Sequence, residues 1–315
     1  MSVFSKSNLK DQIVTVFGGT GFIGSRVVAA LVAEGARVRV ATRHPQSVYF
    51  LRQYGEVGQV VAVACSYRNE KDIEQAIQGS ALIVNCIGVL YDKRKASFSH
   101  IHTDLPVWIA RAATKYRVAR FVHISALAVD RARSEYAISK MSGERGAIQY
   151  FPAVTILRPS VVFGAGDQFI NKFASMARVL PFLPLFGGGQ SKFQPVYVED
   201  VALAVVRCLE IPDSAGRVYE LGGSEIVTFK QIYQKIFRFS GQSCCLVSIP
   251  WWIARIKAMF LGLLPTPPLT NDQLTSLQTD NVVSAEALTL SDLGITSTAM
   301  DEILPSYLGR YSYNK

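Results

Sequence analysis

Gly18-Gly19-Thr20-Gly21-Phe22-Ile23-Gly24 follows directly on the apolar run Ile13-Val14-Thr15-Val16-Phe17 and leads into a stretch of helical periodicity. The glycines at 18, 21 and 24 match the GxxGxxG spacing, and the strand before and helix after them give that spacing its meaning. Glycine permits a tight turn and close approach of backbone to ligand, while N–H groups opening the helix point at a pyrophosphate. The segment reads as a dinucleotide-binding loop, with Gly18, Thr20, Gly21, Phe22, Ile23 and Gly24 as candidate cofactor contacts.

Outward from this loop, β-branched runs alternate with helical patterns. Strands are expected at 13–17, 37–42, 57–63, 81–86, 120–125 and 153–158, and helices from near Phe22, Pro45, Lys71, Phe98 and Ser134. Several of these strands are apolar almost throughout, as in a sheet covered on both faces. The expected architecture is α/β: a doubly wound parallel Rossmann sheet over residues 1–165, completed by strands within 190–225, the last near 217–221. Proline and glycine crowd 181–189, so residues 166–315 read as a smaller, partly helical C-terminal domain.

The chain of 315 residues carries a formal charge of +9, and the excess is confined to one half: 21 Lys/Arg face 11 Asp/Glu up to Ser160, against 12 and 13 beyond it. Such a field suits a phosphorylated cofactor, an anionic lipid surface or an acidic partner; no nucleic-acid motif accompanies it, and none is expected to bind. Five cysteines without metal-ligand spacing point to buried thiols in a reducing compartment and to no metal site. No apolar run reaches the roughly 18 to 20 residues of a membrane span, and no targeting segment is recognisable at the start.

The second expected strand ends Val40-Ala41-Thr42-Arg43-His44, with no carboxylate to take the adenosine ribose hydroxyls. The Arg43 guanidinium can pair with a 2′-phosphate, which favours NADPH (NADP) over NADH. By topology, Cys65, Ser66, Cys86, Ile87 and Gly88 follow the next strands and line the cleft. Tyr136 and Lys140 are four apart and share a helix face, where a lysine can lower the phenol's pKa and make it a general acid/base.

From 12 to 225 the chain resembles the extended short-chain dehydrogenase/reductases. The matching pieces are the 18–24 loop, 85–88, the Tyr136/Lys140 pair, Leu157-Arg158-Pro159-Ser160-Val161-Val162-Phe163-Gly164 and Gln194-Pro195-Val196-Tyr197-Val198-Glu199-Asp200. The resemblance implies that Tyr136 is the acid/base, that Lys140 is its electrostatic partner, and that Pro159, Ser160 and Val161 meet the nicotinamide. The family's Ser or Thr beside the substrate oxygen falls at Ala126 here, unless Ser125 takes its place. A methyl group cannot donate a hydrogen bond, so the catalytic triad is incomplete.

A narrower resemblance runs through Phe121-Val122-His123-Ile124-Ser125-Ala126, Asp167-Gln168-Phe169-Ile170-Asn171, Leu269-Thr270-Asn271-Asp272-Gln273-Leu274, 277–281 and 303–308. These phrases are similar to the nucleotide-binding accessory subunits of respiratory complex I, in their α-proteobacterial form. That resemblance implies a peripheral subunit holding NADPH without established turnover. Its partners would be other complex I subunits and its place the cytoplasmic side of the inner membrane, or the matrix side in a mitochondrion. The alternatives are a soluble NADP-dependent reductase or epimerase acting on a sugar-nucleotide or other carbonyl substrate, and an NADPH-binding redox sensor. Finally, Trp252, Ile256, Met259, Phe260 and Leu263 share one helical face flanked by Arg255 and Lys257. That face reads as a lipid- or partner-facing helix over 251–264, or as a core helix over the cleft.

Overall fold

The computed structural model of the chain describes residues 9–89, 98–255 and 270–312. Seven parallel strands form the main sheet: β1 (Ile13–Phe17), β2 (Arg37–Thr42), β3 (Val60–Ala64), β4 (Leu82–Asn85), β5 (Arg120–Ile124), β6 (Thr155–Pro159) and β11 (Val218–Leu221). Their spatial order is β11-β6-β5-β4-β1-β2-β3, so the chain reverses direction across the sheet between β3 and β4, beside β1. In such sheets the crevice at the reversal, outside the strands' C-terminal ends, is where ligands bind.

Alternation along each strand divides the core in two. Val14 and Val16 of β1, Val38 and Val40 of β2, and Val122 and Ile124 of β5 pack with α1 (Phe22–Ala33) and α6 (Val198–Glu210). Phe17, Ile83, Phe121 and Ile156 point the other way, onto α2 (Glu70–Ile77), α3 (Leu105–Lys115) and α4 (Glu135–Tyr150). Asn69 caps α2 by accepting the Lys71 N–H, and Ser134 caps α4 by accepting that of Ala137.

A further core is built by α5 (Ile170–Val179), α7 (Phe229–Ser240) and helix Met300–Leu308 around Phe173, Phe229 and Tyr233, whose rings meet at 4.8 to 5.5 Å. Short pairs serve it: β7 (Val162–Phe163) with β10 (Val196–Tyr197), β9 (Lys192–Phe193) with β12 (Val227–Thr228), and β8 (Phe182–Phe186) with β13 (Cys245–Ile249). After helix Asn271–Leu277 the chain returns to the first core, where Leu290, Leu293 and Ile295 are buried and the Leu288 carbonyl accepts the Glu220 N–H. Residues 251–255 are helical, with Trp252 exposed; Ile256, Met259, Phe260 and Leu263 of the proposed face, and the flanking Lys257, lie outside the described residues. No described helix is long and apolar enough to cross a membrane.

Candidate nucleotide-binding site

The glycine loop closes on itself. Gly18 has φ +76°, and the Gly21 N–H donates to its carbonyl at 3.0 Å. A Cβ at Gly24 would lie 2.1 Å from that same oxygen, so only glycine lets α1 begin so close to the turn. Gly21 is the N-cap of α1 and brings no side chain to the first-turn N–H groups. Those donors are open to an anion, the arrangement the sequence anticipates for Thr20, Phe22 and Ile23.

At the end of β2, Arg43 lies over the ring of Tyr67, 5.5 Å from its centroid, and Tyr67 is fixed by donating to the Ala41 carbonyl at 2.8 Å. The guanidinium is thereby held at the sheet edge yet exposed to solvent. Cys65 is buried and its thiol is pushed up to about 12 by burial, then by Asp72, which leaves it un-ionised. Ser66 is exposed; its N–H donates to Asp72.

Beyond β4, Asn85 is fully buried. Its Oδ1 accepts the Ile87 N–H at 3.1 Å and its amide reaches His123 Nδ1 at 3.1 Å. Cys86 and Ile87 are half-buried against the glycine loop, and a Cβ at Gly18 would meet Ile87 Cγ1 at 2.9 Å. Burial pushes the Cys86 thiol up to about 12, with Lys140 opposing. Gly88 is exposed, and a Cβ there would meet Lys140 Nζ at 3.4 Å, an ordinary contact.

Opposite this loop, α4 brings Tyr136 and Lys140 to the ends of β5 and β4. Lys140 is buried and donates to the Ile124 carbonyl at 3.1 Å; burial lowers its pKa to about 8, with Glu144 and Cys86 opposing. Tyr136 is half-buried between the rings of Phe98 and His102, and its phenol is pushed up to about 12 by burial and then by Asp272. In this arrangement burial and Asp272 dominate the phenol, and the Lys140 ammonium is turned to the Ile124 carbonyl.

Ser125, 5% exposed, has no partner for its Oγ, and neither has Nε2 of His123, 1% exposed. Both lie on the β5 face turned to α3 and α4. Buried polar atoms are rarely left unpaired, so these orphans fit a ligand carrying hydroxyl or amide groups. Ala126 follows Ser125 with no donor. At the end of β6, Pro159 accepts the Leu127 N–H, while Ser160 Oγ donates to Asn281 Oδ1 at 2.6 Å. The Ser160 hydroxyl thus ties down the C-terminal return, and half-buried Val161 packs toward the smaller core.

Tyr67, His102, Ser139, Asp272 and Asn281 join the site without having been given a site role in the sequence, whereas Asn85 belongs to the 85–88 stretch expected to line the cleft. Asn85 closing an apolar strand was the one available signal, since an amide there must find buried partners. Of the others, Ser139 lies beside Lys140 on α4, and the rest come from distant segments whose approach no local pattern encodes.

Parallel sheet, glycine loop, uncapped helix start and orphaned donors together fit a nicotinamide dinucleotide. The model of the family described as "NAD dependent epimerase/dehydratase family" matches residues 14–222. The chain belongs to that family. Within it, the chain is 32% identical to the Arabidopsis thaliana protein named NADH dehydrogenase [ubiquinone] 1 alpha subcomplex subunit 9, mitochondrial, over 92% of this chain and 75% of the relative. It is 31% identical to the Neurospora crassa NADH-ubiquinone oxidoreductase 40 kDa subunit, mitochondrial, over 98% and 82% of the two chains. The fold matches the Escherichia coli NADPH-dependent quinone oxidoreductase QOR2 complexed with NADPH, with a TM-score of 0.72 at 17% identity over 92% of this chain and 97% of that one.

Proposed function

We propose that this protein is an accessory subunit of respiratory NADH:quinone oxidoreductase that holds NADPH and does not turn it over. One contrast in the site carries the reading: the cradle for the nucleotide is complete, whereas the groups that would use it are disengaged. Gly18, Gly21 and Gly24 keep side chains out of the loop that would seat the phosphates, and in this reading Ser125 and Lys140 would meet the ribose and nicotinamide end. Arg43, held over Tyr67 and exposed, would pair with a 2′-phosphate. On the chemical side, Ala126 has no hydroxyl, Lys140 binds the Ile124 carbonyl, and burial with Asp272 raises the Tyr136 phenol, so Ser125 is the one hydroxyl left to serve beside it.

The kinship with proteins named as complex I subunits supplies the assembly in which such a cofactor would be structural. NADPH, when bound, could supply a hydride; this chain's part is to bind and orient it. In this reading the subunit sits peripherally on the cytoplasmic or matrix side, with its C-terminal region toward the bilayer.

The test is to purify the protein from membranes at moderate salt, identify what co-migrates, and extract its nucleotide. NADPH recovered from a fraction carrying NADH:quinone oxidoreductase activity supports the reading. A free soluble protein that reduces carbonyl substrates with NADPH overturns it.

A further inference from the structure

We propose that His102 is the positioning residue of the nucleotide cleft, one imidazole clamping the 86–89 loop to the helix that carries Tyr136 and Lys140. The inference rests on the NADPH-holding reading for its ligand, but not for its geometry.

His102 is buried, in a π-helical turn (Ser99–Asp104) that leads into α3. Its Nε2 lies 3.1 Å from the Val89 N–H, and its Nδ1 lies 3.0 Å from Ser139 Oγ. A backbone N–H can only donate, so Nε2 is the acceptor, and Nδ1 carries the proton and gives it to Ser139. Ser139 in turn donates to the Tyr136 carbonyl at 2.8 Å. The relay therefore has a single direction: Val89 N–H to His102, His102 to Ser139, Ser139 to the backbone of Tyr136.

The ring has little freedom to leave this relay. Phe98 stacks on it at 5.2 Å and 19°, and Tyr136 meets it edge-on at 5.2 Å and 89°. Its backbone is seated as well, because a Cβ at Gly143 would fall 1.8 Å from the His102 carbonyl oxygen. Glycine at 143 thus lets the π-helical turn press directly on α4. π-Helical turns of this kind are frequent at functional sites.

The consequence falls on the loop. Asn85 holds it at Ile87 and His102 holds it at Val89, with Gly18 on one side and Lys140 on the other. A wall fixed at both points before the ligand arrives loses little freedom on binding, which raises affinity without a direct contact. An apolar ring would fill the same space but could not accept from Val89 and donate to Ser139 together.

The experiment uses the full chain with His102→Ala and His102→Gln, since the glutamine amide offers one acceptor and one donor at similar reach. NADPH dissociation constants are measured by nucleotide fluorescence, melting temperatures are taken alongside, and amide exchange of the 86–89 peptide is followed without nucleotide. We expect His102→Ala to weaken NADPH by about tenfold or more and His102→Gln to recover to within about threefold of the parent. Exchange at 86–89 should accelerate in the alanine variant and slow again in the glutamine variant. Parent-like affinity and protection in His102→Ala overturn the proposal. Equal losses in both variants with equal falls in melting temperature also overturn it, by assigning His102 to packing. If the parent binds no NADPH, the NADPH-holding reading fails, and the nucleotide-free exchange result still decides the positioning role.

Discussion

The Asp272 carboxylate accepts the Glu135 backbone N–H at 2.6 Å, and its other oxygen accepts that of Tyr136 at 3.3 Å. A residue from the last quarter of the chain therefore caps the helix that presents Tyr136 and Lys140, adding to the cap from Ser134. The carboxylate also sits favourably at the positive end of α4. Replacing it by alanine should destabilise the protein by about 1 kcal/mol, the usual worth of an N-terminal cap. Asp272→Asn, which keeps an acceptor, should lose less. Urea unfolding of the three proteins checks this, and equal stability of parent and alanine variant would show that Ser134 suffices.

The proposed role of Arg43 is to favour the phosphorylated over the unphosphorylated nucleotide. Removing the guanidinium with Arg43→Ala should weaken NADPH by about 1.5 to 3 kcal/mol, the range for a charged hydrogen bond, and leave NADH little changed. Calorimetric titration with both nucleotides measures the difference. Tighter binding of NADH than of NADPH by the parent would contradict the assignment.

Three substitutions separate seating the cofactor from using it. A Cβ at Gly24 would press on the Gly18 carbonyl at 2.1 Å, so Gly24→Ala should lower both melting temperature and NADPH affinity. A Cβ at Gly21 meets only the Gly18 carbonyl, at 3.3 Å, so Gly21→Val should leave folding nearly intact while its side chain obstructs the phosphate seat. Tyr136→Phe should alter neither quantity, because the hydroxyl it removes would serve proton transfer and not the seating of the nucleotide. Loss of NADPH binding in Tyr136→Phe would show that the phenol holds the ligand.

His123 makes stability depend on pH. Burial lowers its pKa well below 6.5, with Lys140 and His102 acting in the same direction. Below pH 6.5 the unfolded chain takes up a proton that the folded protein does not, so the folded state loses stability as pH falls. This group's share approaches about 1.4 kcal/mol per pH unit in that window. His123→Gln cannot titrate, so its stability should fall less between pH 7 and pH 5 than the parent's. Parallel slopes from denaturant titrations would remove His123 from the account.

Much of the sheet was legible because each main strand is an apolar run bounded by polar or turn residues. Boundaries moved where turn chemistry intervened: β3 was expected from 57 but begins at Val60, since Gly58 with φ +83° extends the preceding turn. The glycine loop was legible because its function demands a spacing. The pairing of Tyr136 with Lys140 on one helix was legible too, but the ammonium's hydrogen-bond partner was not. Spacing places Lys140 on a helix face without revealing that its ammonium turns to the Ile124 carbonyl. The return of 288–295 to the first core and the Asn281 contact with Ser160 had no local signature, because their partners lie far away in sequence.

The last prediction concerns the surface through which the C-terminal region would meet a bilayer. Trp252 is 65% exposed and Phe182 55%, with Val179, Leu180 and Val247 also exposed on the same C-terminal region. Large apolar side chains left in water contribute little to folding, whereas each can stabilise a contact with lipid. Their exposure in the structure argues against a core role for Trp252, the alternative that helical periodicity left open. Replacing Trp252 and Phe182 by serine should therefore leave the melting temperature and NADPH affinity close to the parent's. The same variant should be retained less on phosphatidylglycerol vesicles, measured by co-sedimentation at low and moderate salt. A large fall in melting temperature with retention preserved would place these side chains among those that hold the fold together. Unchanged retention with unchanged melting would leave the attachment to protein neighbours alone, and the proposed lipid contact would be withdrawn.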